Sequence, residues 1–194
     1  MLINGTAAED QVLTVSNTLA DEDGMGTVTY TWSTGATGTT ITLGQSDVGT
    51  TISVTASYTD AQGTSESLAS TATSAVTNVN DAPTGEVVIT GTAAEDQVLT
   101  VSNTLADEDG MGTVTYTWST GATGTTITLG QSDVGTQITV TASYTDTAGG
   151  FEQVTSAATP TVANVNDASA VTVTGTAAED QTLTSSVTDE DGAT

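Results

Sequence analysis

Along residues 28–32 the apolar side chains of Val28, Tyr30 and Trp32 alternate with Thr29 and Thr31, the period of two that puts every second side chain on one face of a β-strand. The same alternation marks Ile41 and Leu43 in TTITL, and Ile52, Val54, Ala56 and Tyr58 in TISVTASY. Leu13 and Val15 predict an earlier strand, and residues 66–79 a last one. Each segment is rich in Thr and Val and is punctuated by Gly and Asp, the composition of short strands joined by turns. Helical periodicity is missing. Tyr30 and Trp32 therefore read as core residues rather than as a ligand cage.

Residues 5–60 recur at 91–146, altered only at Thr51 against Gln137 and Ser53 against Thr139. This is a tandem repeat with a period of roughly 86 residues, counted from Gly5 to Gly91. An opening strand through Val87 and Ile89 brings each repeat to about six or seven strands, as an immunoglobulin-type sandwich requires. A third copy opens at Gly175 with GTAAEDQTLT and reaches a shortened TDEDG. The predicted fold class is all-β: tandem immunoglobulin-like (cadherin-like) sandwiches in a linear array. Its parts are residues 1–81, residues 82–167, and a partial third repeat at 168–194 holding strands A and B only. Single Trp residues, Trp32 and Trp118, stand on strand C of each full repeat, and Asp47-Val48-Gly49 and Asp133-Val134-Gly135 form turns before strand F. Both features resemble the immunoglobulin-like class. Thr51 and Gln137 stand where that class often has Tyr, and with no Cys the packing around Trp replaces the disulfide.

Charge changes the picture most. The 194-residue chain carries a formal net charge of −24 and no Lys, Arg or His. Neighbouring carboxylates must repel, and no internal salt bridge can relieve them. Nucleic acid and anionic lipid are excluded as partners, because both are recognised through cations. No apolar run is long enough to insert in a membrane, and MLINGT lacks the basic and apolar regions of a signal peptide, so an export signal is expected elsewhere in a longer chain.

In a sandwich with strands A, B, C, E, F and G, the loops alternate between its two ends. Glu9 and Asp10 in the A–B turn, Asp47 in the E–F turn, and Asn80 and Asp81 in NVNDAP fall at the bottom of the first repeat. Asp107 and Asp109 in the B–C loop and Asp146 in the F–G loop fall at the top of the second. A second junction collects Glu95, Asp96, Asp133, Asn166 and Asp167 with Asp189 and Asp191 of the partial repeat. Asp21, Asp23 and Asp60 form the same half-site facing a preceding repeat. Many oxygen ligands without a basic partner call for a hard cation, and Ca²⁺, which accepts six to eight oxygens in flexible geometry, fits better than Mg²⁺. Against this stands the ordinary use of Asp, Asn and Gly in solvated turns. The convergence of remote loops on one end outweighs it.

GTAAEDQxLT, LADEDGxG, VTYTW, DVGTxIxVxASYTD and NVNDAP together resemble the tandem Ig-like or cadherin-like repeats of large RTX-type bacterial surface adhesins, over essentially the whole chain. The resemblance implies a cell-surface, extracellular extender in cell adhesion and biofilm attachment, stiffened by Ca²⁺ between neighbouring repeats of one long chain. Its ligands would fall on Glu9, Asp10, Asp81, Asp107, Asp109 and Asp146, then on Asp47 and Asn80. The second linker, NVNDASAV, departs by lacking proline, and the strand after it is shorter.

The leading expectation is thus a calcium-rigidified structural spacer. The alternative is an extracellular filament whose homotypic contacts complete the third repeat by strand addition. Catalysis is disfavoured, since only carboxylates are available for acid–base work and no cation or thiol exists to orient a substrate or act as nucleophile. Lys–Asn cross-links are excluded by composition.

Overall fold

The structure, a computed structural model, describes residues 1–191. It is all-β, and the chain divides into two compact units, Met1–Asp81 and Ala82–Thr194, so that the partial repeat belongs to the second. Among the described residues no helix is long and apolar enough to cross a membrane.

In the first unit, β1 (Leu2–Asn4), β2 (Val12–Ser16) and β4 (Thr40–Thr42) form one antiparallel sheet in the order β1-β2-β4. Strands β3 (Thr29–Trp32), β5 (Val54–Thr59) and β6 (Ser65–Ala69) form the other, ordered β3-β5-β6. This is an immunoglobulin-like pair of sheets. Alternation decides the core: Leu13, Val15, Trp32, Leu43, Ile52, Val54 and Val76 are buried together, while the Thr residues between them face outward. The Trp32 indole N–H donates to Gly38 O at 3.0 Å, so the large ring is buried without leaving a polar atom unmet.

The second unit repeats the plan. Strands β7 (Val87–Thr90), β8 (Val98–Asn103) and β10 (Thr126–Thr128) run in the order β10-β8-β7. Strands β9 (Thr115–Trp118), β11 (Val140–Thr145) and β12 (Phe151–Thr155) run β12-β11-β9. Trp118, Leu99, Leu129, Ile138 and Val140 fill the core. The partial repeat adds a hairpin, β13 (Ala170–Thr174) with β14 (Thr184–Thr188), whose Val171, Val173 and Val187 are exposed.

The last strand of each repeat differs from expectation. It stops at Ala69 rather than running to residue 79, and the chain continues through isolated bridges at Ala75, Val76 and Thr77. The cause is a bulge. β5 and β6 pair Thr55 with Ala69, and Ser70 N still bonds Val54 O, but the next bond to Ile52 O comes from Thr73 rather than residue 72. The Ser70 and Thr73 hydroxyls accept from Val54 N and Ile52 N at 3.1 and 3.0 Å, replacing the ladder with side-chain bonds. Ser156 and Thr159 do the same in the second unit.

Candidate metal centre

The site is built from the A–B turn upward. Asp96 takes a positive φ of 60°, as does Asp10, and Asp180 one of 63°, a conformation that Asp tolerates better than most residues. That twist follows Glu95, whose own N–H bonds Ala163 O at 2.9 Å and whose Oε2 accepts from Val165 N at 3.2 Å. A carboxylate only 1 % exposed thus ties the turn to the linker. The first unit repeats this with Glu9, also 1 % exposed, accepting from Val79 N.

From the linker comes Asp167, half-buried, with Asn166 Nδ2 bonded to its carbonyl oxygen at 3.0 Å. From the loop after β14 come three consecutive acids. Asp189 accepts from Asp191 N and from the Ser169 hydroxyl, while Asp191 Oδ2 accepts from Asp167 N at 2.8 Å. Glu190 between them reaches across. Glu95, Asp167 and Glu190 each offer a carboxylate oxygen, all within 4.8 Å of one another.

Three carboxylates at that separation, in a chain without a basic side chain, cannot relieve one another. Desolvation holds the Asp167 carboxyl above its ordinary value, and the charges of Asp96, Asp191 and Asp189 push it the same way. Asp191 Oδ1 is buried without a hydrogen-bond partner. These features fit a cation: a buried anchor, two more exposed carboxylates, and an acceptor oxygen left over. The cluster could hold a metal ion.

The other expected residues fall into three groups. Asp133 and Asp47 turn back on their own 3-10 turns, accepting from Gly130 N and Gly44 N at 3.0 and 3.1 Å. Asn80 Nδ2 bonds Asp81 O beside it, and Asp81 and Asp10 lie with Glu9 in the first unit.

At the other end of the second unit, Asp107 Oδ1 accepts from Asp109 N, and its Oδ2 accepts from the Tyr144 hydroxyl at 2.6 Å. Asp109 is 2 % exposed, and Asp146 is 6 % exposed with Oδ2 unpartnered. Burial, then Asp107, pushes the Tyr144 hydroxyl well above its ordinary value. Asp21 with Asp23 and Tyr58, and Asp60 held by Gln62 and Thr64 N–H groups, repeat this arrangement in the first unit. The Thr64 backbone bond lowers the Asp60 carboxyl.

Sequence reasoning missed Glu190, having chosen the Asp residues on either side of it. The available signal was length: Asp189 and Asp191 can satisfy nearby amides, whereas Glu can extend past them. No protein-family model matches the chain, and no curated protein sequence matches it.

Proposed function

We propose that the chain is a structural extender segment of a bacterial cell-surface adhesin, working outside the cell, in which Ca²⁺ bound where one repeat follows another stiffens the array. The observation that carries this reading is the Glu95, Asp167 and Glu190 cluster, where a repeat, its linker and the next repeat each contribute one carboxylate. All-oxygen ligation with no thiolate or imidazole suits a hard cation. The near-identity of the repeats supports a spacer, because each unit needs only its neighbours and length changes by copy number. Glu95 and Asp167 recur one repeat earlier as Glu9 and Asp81.

Calcium titration by calorimetry, joined to small-angle scattering with and without chelator, tests the proposal. Saturable binding with a chelator-dependent change in maximum dimension is expected. No heat and superimposable scattering curves would sink it.

A further inference from the structure

The sandwich of the second unit is open along one side. β7 and β12 are edge strands of its two sheets. Between them lies a groove of about 560 Å³, walled by Val87 and Ile89 on one side and by Val154, Ala157, Ala158 and Pro160 on the other. The two walls join where Ala94 bridges Ala163 in parallel. The second wall is the bulge between Ser156 and Thr159, which turns Ala157 and Ala158 out of the ladder and leaves both exposed.

That wall is also where the repeats part company. Val154, Thr155, Ala157 and Pro160 replace Leu68, Ala69, Thr71 and Ser74, in repeats whose residues 5–60 and 91–146 differ at two positions. Val154 packs partly against the core, but Thr155, Ala157 and Pro160 are exposed, so core packing does not dictate these three and their identity is free to serve a contact. Glu86 is the one charged residue along the groove.

We infer that this groove takes an extended segment of another protein, added as a strand to the four-residue free edge of β7, with small apolar side chains alternating with Lys or Arg. An edge strand offers a row of backbone donors and acceptors to an incoming chain, and small apolar walls receive alternate side chains. Charge chooses the partner. A second copy of this chain would bring 24 more acidic groups and no basic one, so like charges would oppose its docking. A cationic strand instead meets Glu86 and a wholly negative field.

The test uses the full chain, labelled with ¹⁵N, and the capped peptide Lys-Val-Lys-Val-Lys-Val-Lys as probe. A peptide with Pro in place of each Val keeps the charge but cannot join a sheet. Expected are shifts at residues 87–90 and 155–160, with affinity about tenfold or more weaker for the Pro peptide and for Ala158→Phe, which fills the groove from an exposed position. Equal affinities, or shifts spread over the acidic loops around Asp107 and Glu190, would reduce the interaction to counter-ion adsorption and overturn the inference. The Pro-peptide comparison needs no variant, so a misfolded Ala158→Phe leaves the test intact.

Discussion

Replacing Glu95 by Gln should change stability in opposite directions with and without calcium. Gln keeps the side chain's volume and an oxygen able to accept from Val165 N, so the tie between turn and linker survives. What goes is one of three charges gathered within 4.8 Å. In chelator the variant is expected to be at least as stable as the wild type, because one of three crowded carboxylates no longer carries charge. In calcium the balance reverses. An extracellular-type site with Kd on the order of 10⁻⁴ M, at about 10 mM Ca²⁺, stabilises the native state by ~2.7 kcal/mol. For a small domain that is roughly a 10–20 °C rise in Tm. Losing one of three carboxylates should weaken binding by about ten- to a hundredfold, removing ~1.3–2.3 kcal/mol of that gain. Differential scanning calorimetry, with Trp118 fluorescence in a Trp32→Phe background to report the second unit alone, measures both arms. Equal calcium-induced shifts in the variant and wild type would refute the reasoning. So would a large loss in chelator, which would make Glu95 a purely structural tie.

Further outcomes follow from the same structure. Because the Asp167 carboxyl is raised, its proton is bound more tightly in the folded than in the unfolded state. Metal-free stability therefore falls as pH rises through the folded pKa, and calcium affinity weakens on acidification at a pH above the ordinary carboxylate range; pH-dependent melting and calcium titration check the two signs. Trp118→Ala should cost about 3–5 kcal/mol in urea unfolding, since the ring is 1 % exposed in the core. Tyr144→Phe should remove an absorbance step lying above the ordinary Tyr range in ultraviolet pH titration, leaving the rest of the curve in place. Gly91→Ala should cost about 1–3 kcal/mol, since φ is +123° and a Cβ would lie 2.6 Å from Val98 O.

The sheets were legible because their core-forming strands alternate: Leu13, Val15, Trp32, Leu43, Ile52 and Val54 are buried at the positions the period of two assigns. The end of the last strand was not. Ser70 and Thr73 look like ordinary strand residues, yet their hydroxyls capture the amides that a ladder would have used. In the candidate site, the meeting of turn, linker and loop in the second unit follows from sandwich topology, which the repeat length and Trp118 already indicated. The choice of side chain within the DED triplet does not. Asp189 accepts from the amide of Asp191 and Asp191 from that of Asp167 in the linker, and only the structure places the longer Glu190 beside Glu95. Asp47 and Asp133 show the converse, since a carboxylate three residues after Gly44 or Gly130 serves first to cap the 3-10 turn that begins there.

Calcium at the carboxylate cluster is tested most directly by a residue-resolved titration. Calcium added to the chelator-stripped, ¹⁵N-labelled chain should produce saturable shifts at Glu95, Val165, Asp167 and Glu190, diminished in Glu190→Gln. Shifts that never saturate, or that leave these four residues unmoved while others respond, would contradict the account.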